Sequence, residues 1–172
     1  MSSLVDFELR RWAEGGAVRP YDPALVNPAS INLRIGTTAK VETERGIMDL
    51  DLGAYDREIP FLVPPGGWIL TDVMETIKLA SDLEGLVVLR SSAARRGWDH
   101  AMAGFVDPGY GPGKLTLEFV NCLRFHALPI YPGQQLVQLR VSMLQVLPER
   151  DYSQTGRYQG ATRVEGNKDP SL

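Results

Sequence analysis

The sequence predicts a mostly β fold, a barrel or a sandwich, in a single domain. Its 172 residues suit one domain with a substantial core. Twelve prolines and seventeen glycines divide the chain into short segments, which is typical of proteins built from many short strands and turns. The regular alternation of strands and helices that marks a doubly wound nucleotide-binding fold is absent from the pattern.

Four segments have the pattern of strands. Residues 31–35 alternate between apolar and polar side chains, as in a half-buried strand. Residues 86–89 form a short apolar run that is typical of a buried strand. Residues 115–120 alternate again, and residues 136–141 follow a Pro-Gly turn. We therefore expect antiparallel strands joined by tight turns.

Two short helices are expected beside these strands. The first begins at Ser3 and ends at the glycines of positions 15–16, because apolar residues recur between them at helical spacing. The second follows the apolar run at 86–89, where Ser91 or Ser92 can cap a helix and Gly97 can end it.

The composition limits the classes of function. A net charge of −3 argues against a general nucleic-acid binder. The first residues lack a basic segment followed by an apolar one, and no apolar run approaches about 18 residues. We therefore expect a cytoplasmic protein that has neither a nucleic acid nor a membrane as its partner.

Cysteine usage limits the chemistry further. Cys122 is the single cysteine, so an intrachain disulfide is excluded. A zinc-dependent nucleoside deaminase needs a Cys-x-x-Cys pair, which this chain cannot supply. Any deamination by this chain must therefore activate water without zinc.

The run from Arg90 to Gly97 is a candidate phosphate site. The first turn of a helix offers free N–H groups and a partial positive charge, both of which favour a phosphate. Ser91 and Arg95 are four residues apart and share one helix face. Taken alone, the same run also fits a solvated basic turn with an ordinary cap.

Two carboxylates have alternative interpretations. Glu118 lies on the strand face opposite the apolar side chains; if that face lines a pocket, desolvation raises the pKa of the carboxyl towards a range useful for proton transfer. If it faces water, Glu118 is an ordinary surface residue. Asp107, in a turn at 107–110, can bond its own backbone or a sugar hydroxyl. Glu84, Asp99 and His100 lack the spacing of metal ligands.

Six segments, in this order, resemble motifs of the dCTP deaminase and dUTPase family. The resemblance extends from Asn27 to Arg163. The matching segments are residues 27–36, 75–85, 90–97, 103–110, 114–121 and the strand of 132–139 with Gln138 and Leu139. Two positions depart from the pattern: Asn32 stands where the family usually has Asp, and Leu89 replaces a glycine before Arg90.

The resemblance implies a distorted jelly-roll-like β-barrel that assembles as a homotrimer with active sites shared between subunits. Residues 1–150 would form the single domain, and residues 151–172 its C-terminal lid or tail. It also implies deoxycytidine and deoxyuridine triphosphates as ligands, with Mg²⁺ held mainly by the triphosphate rather than by side chains.

The resemblance also assigns roles to residues. Glu118 matches the general base that separates the deaminases from simple dUTPases, and Ser91 and Arg95 match the residues that hold the water and the amino group. The implied substrate-binding residues comprise phosphate ligands, sugar and base contacts, and lid residues: Arg90, Ser92, Gly104, Asp107, Thr116, Leu117, Gln138, Tyr152, Arg157 and Gln159.

The function expected first is zinc-independent deamination of dCTP to dUTP and ammonia, with Glu118 as general base. One alternative is a bifunctional enzyme that also cleaves the triphosphate to give dUMP. Others are a pure dUTP pyrophosphatase, a deaminase of a modified cytosine or another base, and a nucleotide-binding regulator without turnover.

Overall fold

The computed structural model describes residues 2–101 and 103–171, and antiparallel strands dominate it. In chain order the strands are β1 Ser2–Ser3, β2 Val18–Arg19, β3 Val26–Asn27, β4 Ser30–Leu33, β5 Ile35–Thr43, β6 Gly46–Asp51, β7 Phe61–Val63, β8 Trp68–Ile77, β9 Leu83–Leu89, β10 Trp98–His100, β11 Phe105–Val106, β12 Gly113–Asn121, β13 Leu128–Ile130 and β14 Val137–Met143. The expectation of a mostly β fold is confirmed.

Two six-stranded sheets make up the body. The first has the order β11-β9-β14-β4-β3, with β1 added beside β14. The second has the order β10-β12-β8-β5-β6, with β2 added beside β8. Strands β7 and β13 form a separate pair. Because every pairing is antiparallel, side chains directly opposite each other share one sheet face.

The core contains side chains from both sheets. The apolar positions of β12 illustrate the pattern, since Leu115, Leu117 and Phe119 are buried whereas Thr116 and Glu118 are partly exposed. The predicted alternation of this strand is therefore correct, and it separates a core face from a second face that carries polar side chains.

The helices are short, as expected, but their starts differ from the prediction. The elements are α1 Asp6–Trp12, a π-helical turn Ala13–Ala17, 3-10 turns Pro23–Leu25 and Leu52–Ala54, α2 Ser91–Ala94 and α3 Tyr152–Thr155. Ser3 lies in β1, so the first helix begins three residues later than predicted.

The cap of α2 also differs from the prediction. Arg90 is its N-cap residue, and neither serine accepts a capping hydrogen bond there. The physical reason is that the Arg90 N–H still donates to the Leu136 carbonyl at 2.8 Å, which keeps Arg90 extended, while its own carbonyl accepts from the Ala93 N–H at 2.9 Å and so begins the helical turn. Gly97, with φ of +101°, lies at the end of this turn as expected.

The C-terminal segment packs against the second sheet. Ala161 and Val164 are buried, and the Ala161 carbonyl accepts a hydrogen bond from the Lys114 N–H at 2.7 Å. The Val164 N–H donates to Thr38 Oγ1 at 2.8 Å, and the Glu165 N–H donates to Thr116 Oγ1 at 3.0 Å. Residues 161–165 are therefore anchored to the same strand that carries Glu118.

Across the described ranges 2–101 and 103–171, no helix combines the length and the apolar character needed to cross a membrane.

Candidate active site

A cavity of about 600 Å³ opens beside β12 and is partly covered by the C-terminal segment. Its walls come from the β5–β6 hairpin, from β8, from the loop before β12, from β12 itself and from the tail. The side chains that matter for its chemistry are Glu118, Thr116, Asp107, Lys40, Lys114, Tyr110, Tyr152, Tyr158 and Glu165. The volume suits a small ligand such as a nucleotide.

Glu118 lies in the wall of this cavity. Its Oε2 atom is buried and has no hydrogen-bond partner among the described residues. Burial raises the pKa of the Glu118 carboxyl above its ordinary value, although a hydrogen bond from its own backbone and the nearby His100 lower it by less. The carboxyl therefore differs from a fully solvated surface carboxylate.

His100 is the neighbour of Glu118 that the sequence pattern did not single out. It is buried, and its Nδ1 lies 3.0 Å from the Glu118 carbonyl oxygen. A carbonyl can only accept, so this contact assigns a proton to Nδ1. The Nε2 atom is buried and unpartnered among the described residues. Among the described residues, His100 belongs to no cluster of His, Cys, Asp or Glu side chains that could hold a metal ion.

Six of the predicted site residues line the cavity together: Gly104, Asp107, Thr116, Leu117, Glu118 and Tyr152. Gly104 is required by close packing, because a Cβ at this position would lie 2.1 Å from the Val87 carbonyl oxygen. Asp107 is exposed at the mouth, beside the turn that holds Tyr110. The structure therefore brings together the residues assigned to the base and the sugar.

Two lysines that were not among the predicted site residues line the same cavity and add positive charge to it. The Lys114 ammonium lies 2.8 Å from Asp72, whose side chain is fully buried. The Lys40 ammonium lies 2.5 Å from Asp49, whose side chain is 64% exposed. The Lys114–Asp72 pair therefore includes a fully buried carboxylate, whereas the carboxylate of the Lys40–Asp49 pair is largely exposed to solvent.

The predicted catalytic and phosphate-binding residues of the run from Arg90 to Arg95 lie elsewhere. Arg90, Ser91, Ser92 and Arg95 do not line the cavity of their own chain, as far as the described residues show. Ser91, Ser92 and Arg95 are exposed around α2. They form a second group of candidate residues that a single chain does not bring into contact with Glu118.

A network of amides supports Arg90 in this second group. Its Nη1 donates to Gln135 Oε1 at 3.0 Å, and Asn32 Nδ2 donates to the same oxygen at 3.1 Å. Asn27 then donates to Asn32 at 3.0 Å and to Ser30 at 3.2 Å.

Gln138 completes this network, because its Oε1 accepts from Ser30 Oγ at 2.7 Å. Gln138 thus lies with Arg90 rather than in the cavity. The family-atypical Asn32 is a member of the same network, where its amide both donates and accepts.

The predicted tail residues Tyr152, Arg157 and Gln159 lie in different places. Tyr152 and the unpredicted Tyr158 line the cavity. Gln159 instead binds the loop before β12: its Nε2 donates to the carbonyls of Gly111 at 2.8 Å and Gly109 at 3.2 Å, and its Oε1 accepts from the Gly111 N–H at 2.9 Å. Arg157 is exposed and paired with Asp169.

Metal ligation by side chains alone has little support within residues 2–101 and 103–171. No three His, Cys, Asp or Glu side chains of these ranges lie close enough together to share one ion.

Comparison with known proteins identifies the family. The dCTP deaminase-like family profile matches residues 4–144. A "dCTP deaminase, dUMP-forming" from Thermobifida fusca is 34% identical, over 91% of this chain and 87% of its own length. A protein of the same description from Parafrankia sp. is 32% identical, over 91% of this chain and 85% of its own length.

The fold agrees with that assignment. The crystal structure of a 2′-deoxycytidine 5′-triphosphate deaminase from Agrobacterium tumefaciens superposes with a TM-score of 0.67 and 22% identity, over 83% of this chain and 48% of that one. The resemblance inferred from six short motifs is thereby confirmed, as is the expectation of an enzyme. This chain belongs to the dCTP deaminase-like family, within the dCTP deaminase and dUTPase superfamily.

Proposed function

We propose that this protein is a bifunctional deaminase that converts dCTP to dUMP, releasing ammonia and pyrophosphate. The observation that carries the proposal is the buried Oε2 atom of Glu118 in the cavity wall, which has no hydrogen-bond partner among the described residues. The description "dUMP-forming", shared by relatives 32% and 34% identical to this chain, favours dUMP over dUTP as the final product.

Deamination would proceed at C4 of the cytosine. Glu118 takes a proton from the attacking water and passes a proton to N3, after which the amino group leaves as ammonia and a carbonyl remains. The raised pKa of the Glu118 carboxyl supports this shuttle, because a base that must also return the proton works best near the ambient pH. Thr116 and Leu117 would meet the base edge with their backbone groups, and Asp107 would bind the 3′-hydroxyl.

A second subunit would supply Ser91 and Arg95, which would hold the water and the amino group, together with the phosphate ligands. Ser91 and Arg95 are exposed and lie outside their own chain's cavity, which supports a homotrimer in which α2 of one subunit faces the cavity of the next. Arg90, held by Gln135, would then bind phosphate oxygens together with Ser92 and Gln138. Arg157 would reach the same phosphates only after leaving Asp169.

Mg²⁺ would be bound mainly through the triphosphate oxygens, since the described residues gather no cluster of carboxylates for it. It would neutralise the charge that develops when the triphosphate is cleaved. The second reaction adds one water to the α-phosphorus of dUTP and releases pyrophosphate. Tyr152 and Tyr158 would close the cavity over the nucleotide and exclude bulk water.

Product analysis tests this proposal. The protein is incubated with Mg²⁺ and either dCTP or dUTP, and the nucleotides, ammonia and pyrophosphate are separated and quantified. Equal amounts of ammonia, pyrophosphate and dUMP from dCTP support the bifunctional enzyme. Three outcomes contradict the proposal. Accumulation of dUTP from dCTP identifies an enzyme that only deaminates, and formation of dUMP from dUTP but not from dCTP identifies a pyrophosphatase. Saturable binding of the nucleotides without any product identifies a regulator.

Subunit mixing tests the shared site. Glu118→Gln and Arg95→Ala subunits are each inactive alone in this account. When equal amounts are unfolded together and reassembled, random trimers should place an intact Glu118 opposite an intact Arg95 in about a quarter of the sites. Recovery of about that fraction of the wild-type rate supports the shared site. Absence of any recovery, with trimers verified by sedimentation, contradicts it.

A further inference from the structure

We propose that a second cleft, separate from the cavity around Glu118, binds a nucleotide through its phosphates and its planar base. The cleft has a volume of about 500 Å³ and lies between the end of α1 and the end of β8. Its principal lining residues are Trp12, Gly16, Arg19, Thr76, Lys78 and Pro112. It shares no lining residue with the first cavity in the described part of the chain.

Strand register places a cation and a hydroxyl of this cleft on one face. Arg19 in β2 lies directly opposite Thr76 in β8, so their side chains point to the same side of the sheet. Lys78 follows Thr76 by two residues, and its N–H donates to the Ala17 carbonyl at 2.8 Å. The lining of the cleft therefore contains a guanidinium, a hydroxyl and an ammonium.

Both cations are available for an anion. Within residues 2–101 and 103–171, neither Arg19 nor Lys78 belongs to an ion pair, and no carboxylate lines the cleft. Asp6, the partner of Arg10, and Glu14, which acts on Tyr21, lie nearby in sequence but outside the lining. Two unpaired cations and a hydroxyl at one point match the oxygens of a phosphate chain.

Gly16 sets the position of the guanidinium. Its φ of +94° favours glycine, and a Cβ there would lie 2.8 Å from the Arg19 Nη2 atom. The absence of a side chain thus lets the guanidinium lie against the backbone of the turn. This contact reduces the freedom that Arg19 would lose on binding an anion.

Trp12 gives the cleft a surface for a ring. It is half-buried at the end of α1 and lines the cleft together with the cations. An indole is a sequence-tolerant platform on which a nucleobase stacks. Since phosphate recognition and ring recognition occur in one cleft, a nucleotide fits better than either free phosphate or an uncharged aromatic compound.

The cleft is also connected to the tail. Pro112 lines the cleft and follows Gly111, whose N–H and carbonyl are both bound by Gln159. A ligand that contacts Pro112 therefore lies one residue from the attachment of the segment that covers the first cavity. This places the proposed site where a nucleotide can influence closure of the tail.

Equilibrium dialysis separates the two sites. The full-length Glu118→Gln variant is first titrated with radiolabelled dCTP, and radiolabelled dATP or dTTP is then titrated with unlabelled dCTP held at the concentration that fills one site per chain. We expect one additional nucleotide to bind per chain. Inorganic tripolyphosphate serves as the probe without a ring and should bind more weakly. Because no turnover is measured, the result does not depend on whether the proposed reaction is correct.

Matched variants identify the location. Arg19→Ala with Lys78→Ala should weaken dATP or dTTP binding at least about tenfold, because two charge-assisted contacts are lost. Arg45→Ala with Arg124→Ala removes the same charge from exposed positions outside the cleft and should leave the affinity unchanged. Trp12→Ala should weaken nucleotide binding but not tripolyphosphate binding. Absence of a second nucleotide, equal effects of the two double variants, or equal affinity for tripolyphosphate would overturn the proposal.

Discussion

Removing the ammonium of Lys114 should destabilise the fold far more than removing that of Lys40, although both lysines line the same cavity and both pair with an aspartate. The pairs differ in burial. Asp72, the partner of Lys114, has a side-chain exposure of 0%, whereas Asp49, the partner of Lys40, is 64% exposed. Lys114→Met and Lys40→Met therefore form a matched pair of perturbations.

The magnitudes follow from the partners that remain. Without Lys114, the buried carboxylate of Asp72 keeps the Thr38 N–H at 3.0 Å but loses its counter-charge. Breaking a buried pair on one side costs about 3–5 kcal/mol, and the remaining N–H donor places this variant near 3 kcal/mol. The Lys40 pair lies in solvent, where such a contact contributes about 0–1 kcal/mol.

Urea denaturation at a fixed protein concentration measures both effects. The Lys114→Met variant should lose about 3 kcal/mol of unfolding free energy, and Lys40→Met less than about 1 kcal/mol. The double variant Asp72→Leu with Lys114→Met should recover much of the loss, since no buried charge is left unpaired. Equal losses in the two single variants would refute the reasoning that burial of the aspartate decides the cost.

Three further predictions concern the cavity and its surroundings. Burial raises the folded-state pKa of Glu118 above its unfolded value, so the contribution of this carboxyl to stability is present at low pH and is lost as the pH rises through the raised pKa. Glu118→Gln should therefore raise the Tm at pH 7.5, and the difference in Tm from the wild type should shrink towards pH 4. An unchanged Tm difference across that range would oppose this. Gly104→Ala should cost about 2 kcal/mol in urea denaturation because of the clash with Val87, whereas Gly15→Ala, which meets nothing within 4 Å, should be tolerated; similar losses would count against the steric argument. Gln159→Ala should speed hydrogen exchange of the Gly111 amide, and unaltered protection would show that the tail does not hold this loop.

The β12 strand shows what the sequence could predict. Its alternation identified a core face and a second face, and the structure has both. Periodicity could not decide whether Glu118 faces a cavity or water, because that depends on the tail and on β8, which are distant in sequence. The resemblance to a family predicted that Glu118 faces a cavity, and the burial of its Oε2 atom agrees with that prediction.

His100 and Lys114 show why other residues in and beside the cavity could not be predicted from the sequence. His100 acts through a carbonyl 18 residues away along the chain, and Lys114 depends on a buried aspartate 42 residues away. Neither partner lies within a recognisable spacing. Likewise, the serine caps predicted for α2 were wrong because a strand contact of Arg90, invisible in local sequence, determines where the helix begins.

The role of Glu118 as the base in deamination is tested most directly by ammonia release from dCTP with Mg²⁺, comparing the wild-type protein with Glu118→Gln. The amide has nearly the shape of the carboxyl, so the variant should bind dCTP with similar affinity while releasing ammonia at least about 10²-fold more slowly. An unchanged rate of ammonia release in Glu118→Gln would contradict the mechanism, because the cavity would then deaminate without its proposed base.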